Sequence, residues 1–190
     1  MHAFSFKRYK EVIIKQDWDG LANIILESIY KLKLAGADFV IIPSNTPHYG
    51  FKRINDESPL PVLNLISLTA DECQRLGFKK VAVLGTTLTM KNGLYADPLK
   101  TRGIDSVIPD NELCDSINSL IMDKIIPSKI NPLNVRKIAD AINNIACDAV
   151  ILGCTELPEV YNQGNINKPI IDTTRLLACK ALEFACKSLL

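Results

Sequence analysis

Short apolar runs recur along the chain, separated by longer segments of mixed polarity. Their continuous hydrophobicity is typical of strands that are covered on both faces, as in parallel sheets. Glycines and prolines mostly lie between these segments, where they turn the chain. The predicted strands are DFVII (38–42), PVLNLI (61–66), VAVLGTT (81–87), AVILGCTELP (149–158) and PIID (169–172), with a further strand at DSVIPD (105–110).

The segments between these runs carry helix signals. The segment 17–36 places its apolar residues on one face, begins with acidic residues that can cap a helix, and reaches a terminating glycine at Gly36. Further helices are predicted at 68–77, within 111–147, and in a closing segment that runs to Leu190. Strands separated by helices predict parallel βαβ units, whose functional groups lie in loops beyond the carboxyl ends of the strands.

Two stretches of the chain repeat each other. DFVIIPSNTPH (38–48) aligns with DAVILGCTELP (148–158), which superimposes Ser44 on Cys154. Further along each stretch, PVLN (61–64) matches PIID (169–172). Buried strands resemble one another, so a single match would mean little. Two matches in the same order predict a duplicated α/β unit, in which a pseudo-twofold axis would turn Ser44 and Cys154 toward one cleft.

Composition and charge exclude several classes of partner. The 190 residues are 47% hydrophobic and 23% charged, as in an ordinary globular protein, and the formal net charge is +1. Basic and acidic residues are interleaved, so no nucleic acid and no membrane surface is expected as a partner. No apolar run approaches the roughly 18 residues of a membrane helix, and the first residues lack a secretory pattern, so we expect a cytoplasmic location.

The cysteines predict reduced thiols and no metal site. They form no C-x-x-C pair, and the chain has only two histidines. Cys179 and Cys186 share an apolar stripe with Leu182 and Leu189 on the closing helix, which predicts that both thiols face the core. The six positions are Cys73, Cys114, Cys147, Cys154, Cys179 and Cys186.

Ser44 and Cys154 are the candidate reactive groups. Each follows a predicted buried strand and precedes polar residues, at 45–46 and 155–156, which are expected to open a helix. A helix N-terminus binds carboxylates and lowers the pKa of a nearby thiol from about 8.5 toward neutrality. A small acidic molecule between two such ends would lose a proton on one face and gain one on the other.

Several segments together resemble a known family. They are DWDG (17–20), GADFVIIPSNTPH (36–48), VAVLGTTLTM (81–90), VIPD (107–110), VILGCTELP (150–158) and PIIDTTRL (169–176). In combination they resemble the aspartate/glutamate racemase family, close to its aspartate racemase and broad amino-acid racemase branch. The resemblance implies two pseudo-symmetric, flavodoxin-like α/β units with the site in the cleft between them. We assign residues 1–76 to the first unit, 77–172 to the second, and 173–190 to a closing helix that packs back on the first.

The same resemblance implies a cofactor-independent amino-acid racemase that acts on aspartate, glutamate or a similar small acidic amino acid, as a homodimer. Ser44 and Cys154 hold the two catalytic positions that remove and return the α-proton. Asparagine and threonine positions would hold the α-carboxylate, a glutamate would position the thiol proton, and two further threonines would line the cleft wall. These implied substrate-binding positions are Asn45, Thr46 and Thr155, then Glu156, then Thr86 and Thr89.

Two features depart from the family pattern. Ser44 stands where the family has its first cysteine, and an unactivated hydroxyl is far less acidic than a thiol, so impaired activity is expected. His48 lies one helical turn beyond Ser44, where it is either the base for that hydroxyl or a polar residue of the first helical turn. The chain also enters the pattern at the second strand, without the family's first βα unit, which predicts exposed sheet edges and partner association.

Two other functions remain open at this point. Arylmalonate decarboxylases keep only the second cysteine, so Cys154 would serve a one-thiol lyase or decarboxylase as the lone proton donor. Alternatively, the chain is an inactive relative that binds a carboxylate ligand. The racemase interpretation is favoured over the lyase because N-T-x-H and GCTE are typical of the racemase branch.

Overall fold

Parallel strands form two sheets in the computed structural model, which describes residues 1–187. The α/β class predicted from the apolar runs is therefore confirmed. The chain divides into one unit of Met1–Leu65 and a second that begins at Ile66. The domain boundaries placed after residues 76 and 172 stay predictions.

The first unit contains a two-stranded parallel sheet and the helices around it. Asp17 caps the second helix by accepting a hydrogen bond from the Gly20 N–H at 2.8 Å, and Gly36 follows the helix end at φ +86°. The elements are α1 Phe6–Ile14, α2 Trp18–Leu34, β1 Val40–Ile41, a 3-10 helix Thr46–Gly50, α3 Phe51–Glu57 and β2 Val62–Leu63.

Helix α1 was not predicted. Its signal is the helical spacing of Phe6, Tyr9 and Ile13, and Tyr9 packs against the apolar core of this unit. Strand β1 is shorter than its apolar run, and the expectation that both of its faces are covered is wrong. Val40 and Ile42 point into the core, whereas Ile41 is 37% exposed, because the helical core of this unit lies on the side of Val40 and Ile42.

The second unit is built on a four-stranded parallel sheet of order β4-β3-β5-β6. A π-helical segment at Leu120–Ile125 and a short 3-10 helix at Leu157–Glu159 interrupt its regular elements. The others are α4 Leu65–Arg75, β3 Lys80–Leu84, α5 Thr87–Lys91, α6 Ala96–Lys100, β4 Asp105–Val107, α7 Asn111–Ser119, α8 Pro132–Asn143, β5 Ala149–Leu152, β6 Ile170–Asp172 and α9 Thr173–Lys187.

The central strands of this sheet are covered on both faces, as their apolar runs predict. Val150 and Leu152 of β5 pack into one hydrophobic cluster, while Ala149 and Ile151 pack into another. All four residues are buried. Because alternate residues of a strand point to opposite faces, one cluster lies on each side of the sheet.

The sequence repeat is matched by the strand pairing. In the first unit Val40 pairs with Val62, and in the second the aligned residue Val150 pairs with Ile170. The Val40 N–H donates to the Pro61 carbonyl, and the Val150 N–H donates to the Pro169 carbonyl, both at 2.9 Å. The two repeats therefore build the same parallel strand pair in the same register.

The prediction that Cys179 and Cys186 face the core is wrong, because both are exposed. Helix α9 is anchored by Leu177, which is buried, and by the Thr173 hydroxyl, which donates to the Leu152 carbonyl at 2.9 Å. Residues two positions apart in a helix point about 200° apart around its axis. Cys179 therefore points away from the side on which Leu177 is buried. Leu189, the last member of the predicted stripe, lies outside the described residues.

Candidate active site

Cys154 lies in a tight turn directly beyond β5. The preceding Gly153 donates its N–H to the Leu84 carbonyl at 2.7 Å, which holds the turn beside the end of β3. A Cβ atom at Gly153 would lie 3.1 Å from both the Leu84 carbonyl oxygen and the Thr89 Cγ2. The absence of a side chain at Gly153 thus allows the turn after β5 to approach the end of β3 closely. This approach fixes the main-chain position of Cys154.

Thr86 and Thr89 belong to the same corner of the second unit. The Thr86 side chain caps α5, because its Oγ1 accepts a hydrogen bond from the Thr89 N–H at 3.5 Å, and the two hydroxyl oxygens are 3.2 Å apart. Thr89 is buried, and its Cγ2 lies against both Gly85 and Gly153. The structure therefore brings Thr89 against the turn that carries Cys154, with Thr86 beside it.

The Cys154 thiol donates a hydrogen bond to Glu156, with 2.8 Å between Sγ and Oε2. Burial, together with the hydrogen bond to the Glu156 carboxylate, raises the pKa of the Cys154 thiol to about 12, with burial as the larger cause. The main-chain N–H groups of Thr155 and Glu156 oppose this shift but do not overcome it. The thiol is consequently held protonated, as a proton donor.

The expectation that a helix N-terminus lowers the pKa of this thiol is wrong. The helical segment that follows is a 3-10 helix of three residues, Leu157–Glu159, which is too short to carry much of a helix dipole. Burial and the adjacent carboxylate of Glu156 therefore decide the protonation of Cys154. Thr155 between them is exposed.

Ser44 follows β1 in a comparable turn of the first unit. Its N–H donates to the Ile42 carbonyl at 2.8 Å, and a 3-10 helix begins two residues later at Thr46. Ser44 and Thr46 are half-buried, whereas Asn45 is only 4% exposed. The predicted helix is thus a 3-10 helix that continues into α3.

His48 does not act on the Ser44 hydroxyl. Its Nδ1 lies 2.9 Å from the Ser44 carbonyl oxygen, and its Nε2 accepts a hydrogen bond from the Leu65 N–H at 3.1 Å. The tautomer follows, because the ring nitrogen that accepts must be unprotonated and the one facing a carbonyl must donate. Burial lowers the pKa of His48 to about 4, so the ring is neutral near pH 7. Of the two sequence interpretations, the one as base for Ser44 is therefore wrong.

Sequence reasoning missed what the DWDG motif does. Trp18 stacks on Tyr49, with ring centroids 4.5 Å apart, and a Cβ atom at Gly50 would lie 2.8 Å from the Trp18 carbonyl oxygen. The start of α2 therefore packs against the end of the 3-10 helix that begins at Thr46. The DWDG motif was the only signal of this contact in the sequence, because Trp18 and Tyr49 lie about thirty residues apart.

The predicted site residues thus form two groups, one in each unit. Ser44, Asn45 and Thr46 belong to the first unit, while Cys154 and the other candidates belong to the second. That the groups face one cleft stays a prediction. Within residues 1–187, no three or more His, Cys, Asp or Glu side chains are grouped to hold a metal ion. No helix in the same range has the length and apolar character needed to cross a membrane.

Comparison with known proteins identifies the family. Residues 1–181 match the family model described as Asp/Glu/Hydantoin racemase. A broad-specificity amino-acid racemase from Bacillus subtilis (strain 168) is 29% identical over 164 residues, which cover 85% of this chain and 71% of that protein. The chain spans about half the length of glutamate racemases that it also matches, at 48% and 51%.

Solved structures agree in fold. An aspartate racemase homologue from Pyrococcus horikoshii OT3 is 29% identical with a TM-score of 0.83, and the match covers 97% of this chain and 82% of that one. The aspartate racemase of Picrophilus torridus is 30% identical with a TM-score of 0.71, covering 86% of this chain and 69% of its own. The chain therefore belongs to the Asp/Glu/Hydantoin racemase family, whose model matches residues 1–181.

Proposed function

We propose that the chain is a cofactor-independent amino-acid racemase of the aspartate/glutamate type. It removes the α-proton of a small acidic amino acid and returns a proton to the opposite face. The observation that carries this function is the hydrogen bond between the Cys154 thiol and the Glu156 carboxylate at a strand end. The activity named for the Bacillus subtilis relative supports the same reaction class.

In this mechanism Cys154 works on one face of the α-carbon. At pH 8 a thiol with a pKa of about 12 would need about 5 kcal/mol to ionise freely. Glu156 takes the thiol proton as the sulfur takes the α-proton, so that no free thiolate has to form. The electron pair of the Cα–H bond stays on the substrate, where the α-carboxylate delocalises it. In the opposite direction the thiol donates its proton to this carbanion, and the proton on Glu156 returns to sulfur.

Ser44 serves the other face and is the weaker group. It holds the position that aligns with Cys154 in the repeat, but a hydroxyl is a poorer acid–base group than a thiol near neutral pH. His48 offers it no activation, since the imidazole bonds the Ser44 carbonyl and the Leu65 N–H. Inversion, which needs both faces, is therefore slower than proton exchange on the Cys154 face.

The remaining candidates bind the substrate. Asn45, Thr46 and Thr155 hold the α-carboxylate, each lying in the turn that carries a catalytic group. Thr86 and Thr89 form the wall beside Cys154, which the packing of Thr89 on Gly153 supports.

The enzyme works in the cytoplasm as a homodimer, without pyridoxal phosphate or a metal ion. A reducing compartment suits the chemistry, because the reaction needs Cys154 as a free thiol. A thiol and a carboxylate together supply proton transfer without a redox step.

The decisive experiment is solvent deuterium incorporation into each enantiomer of aspartate and glutamate. Proton NMR follows loss of the α-hydrogen, and chiral chromatography follows inversion. Exchange should vanish in Cys154→Ser and persist in Cys147→Ser, a matched change in another half-buried cysteine of the same unit. Exchange that is equal in both variants would contradict the role of Cys154.

A second candidate function is a one-thiol decarboxylase, which the raised pKa of Cys154 favours, because such an enzyme needs only a proton donor. Release of carbon dioxide from substituted malonates, lost in Cys154→Ser, would identify it. Binding of dicarboxylic amino acids with neither exchange nor decarboxylation would instead identify an inactive carboxylate-binding relative.

A further inference from the structure

His48 is a buried polar residue with no part in the chemistry described above. It is 6% exposed, and its ring stacks on Phe51 with 5.4 Å between centroids and 4° between planes. Its two nitrogens bond two main-chain groups, the carbonyl of Ser44 and the N–H of Leu65. A buried imidazole with both nitrogens satisfied is neutral and held in one orientation.

The two groups that His48 joins are distant in sequence but important for the site. Ser44 begins the turn that carries the proposed carboxylate-binding residues 45–46, while Leu65 opens helix α4 directly after β2. The first N–H groups of a helix lack partners within the helix, so the Leu65 N–H needs an acceptor from elsewhere. His48 supplies it and, through the same rigid ring, holds the Ser44 carbonyl.

The far end of the segment is held separately. Tyr49 stacks on Trp18, and Gly50 lies against the Trp18 carbonyl oxygen. Within residues 44–50 the main chain makes local bonds, from the Ser44 N–H to the Ile42 carbonyl and from the His48 N–H to the Asn45 carbonyl. His48 adds a link from the Ser44 end to Leu65, and α2 holds the Tyr49 end. Loss of the His48 bonds would remove the link between the Ser44 carbonyl and Leu65 and leave the contacts at the Tyr49 end in place.

We propose that His48 is a positioning residue, which sets the orientation of the Ser44–Thr46 turn by tying the Ser44 carbonyl to the main chain at Leu65. This role rests on the proposed function, because Ser44, Asn45 and Thr46 act on substrate only there. In this role His48 sets the direction in which the Ser44 hydroxyl and the side chains of Asn45 and Thr46 face the substrate. A misplacement of a reacting group by about 1 Å can lower a rate by about 10²-fold.

Three substitutions separate the two bonds. His48→Asn places an amide near the Nδ1 position and keeps a donor for the Ser44 carbonyl. His48→Gln places an amide near the Nε2 position and keeps an acceptor for the Leu65 N–H. His48→Phe keeps the ring stacked on Phe51 and removes both bonds. The control is His2→Asn, which alters the other histidine, whose Nδ1 lies 3.0 Å from the Ser28 hydroxyl.

The first measurement does not depend on activity. Hydrogen–deuterium exchange is followed in peptides covering residues 43–50 and, for comparison, 51–64. Each of the three His48 variants breaks at least one of the two bonds that form the link, so we expect all three to raise exchange in 43–50 by about 10-fold or more, while His2→Asn stays within about 3-fold of the unaltered protein. Unchanged protection in any of the three His48 variants, or a rise that extends equally over 51–64, would overturn the proposal.

The second measurement compares inversion with exchange at saturating substrate, in the unaltered protein and in a Ser44→Cys background. His48→Gln should lower the inversion rate by about 10²-fold and change kcat for Cys154-dependent exchange by less than about 3-fold, with a raised KM for both. Rates that fall together in proportion to thermal stability would overturn the positioning role. If the unaltered protein shows neither reaction, the proposed function fails, and the deuterium-exchange pattern alone decides the role of His48.

Discussion

The Cys154 sulfur lies 2.8 Å from Oε2 of Glu156, and the thiol donates its hydrogen to that carboxylate. Burial of Cys154 and the carboxylate of Glu156 together raise the pKa of the thiol to about 12, with burial as the larger cause. The residue therefore rests as a proton donor with a proton acceptor in direct contact. This pair can pass a proton in either direction without a free thiolate.

Replacing Glu156 by glutamine should lower the pKa of Cys154 from about 12, because the charge that disfavours the thiolate is gone. It should remain above 9.0, the ordinary value, since burial is the larger cause. The measurement is thiolate absorbance against pH, taken as the difference from Cys154→Ser. Glu159→Gln makes the same charge change at an exposed position. An equal shift in both variants would contradict a specific pairing.

The two proposed catalytic positions, Ser44 and Cys154, should respond in opposite ways to substitution. Cys154→Ser should abolish α-proton exchange, whereas Ser44→Cys should raise the inversion rate by about 10² to 10⁴-fold, the usual worth of a general acid or base. In the unaltered protein one enantiomer should lose its α-hydrogen to solvent faster than it inverts. Equal rates of exchange and inversion from both enantiomers would show that Ser44 is a competent base.

The buried neutral His48 should make the first unit sensitive to acid. Its pKa falls from 6.5 to about 4 on folding, so its contribution to stability is complete above pH 6.5 and is lost as the pH falls toward 4. Over that range the unaltered protein should lose on the order of 3 kcal/mol of unfolding free energy relative to His48→Gln. Urea unfolding of both proteins at several pH values tests this. Parallel curves would contradict it, because the carboxylates titrate in both.

Gly153→Ala should move the turn that carries Cys154. The new Cβ would lie 3.1 Å from both the Leu84 carbonyl oxygen and Thr89 Cγ2, so the turn or these neighbours must give by a few tenths of an ångström. We expect a loss of about 1 to 3 kcal/mol in unfolding free energy and of about 10²-fold in exchange rate. Val150→Ala, in the preceding strand β5, should lower stability while leaving the exchange rate within about 3-fold. A comparable rate loss in both variants would show that the rate merely follows stability.

Activity should not depend on a metal or on pyridoxal phosphate. Racemisation and exchange rates should be unchanged after treatment with a chelator or with hydroxylamine, which captures pyridoxal phosphate. The reason is that Cys154 and Glu156 provide proton transfer themselves. Loss of activity with the chelator, restored by one particular metal, would contradict the mechanism.

Local sequence was sufficient to predict the α/β class, the parallel strands and the positions of Ser44 and Cys154 just beyond strand ends. A strand covered on both faces must be apolar throughout, so β3 and β5 are visible in the sequence without knowledge of their partners. The repeat that aligns Ser44 with Cys154 was also visible in the sequence. In the structure its two copies form the matching strand pairs Val40–Val62 and Val150–Ile170. Such features depend on residues close together in the chain.

The tertiary structure decided which environment each of these residues has. The pKa of Cys154 is raised mainly because the fold buries the thiol, although the pattern of the turn predicted a lowered pKa. His48 is bound to Leu65, 17 residues further on, and this contact rules out its role as a base. Cys179 is exposed because α9 is anchored on its Leu177 side. Hydration, charge and packing act through space between segments that are distant in sequence, so local patterns do not predict them.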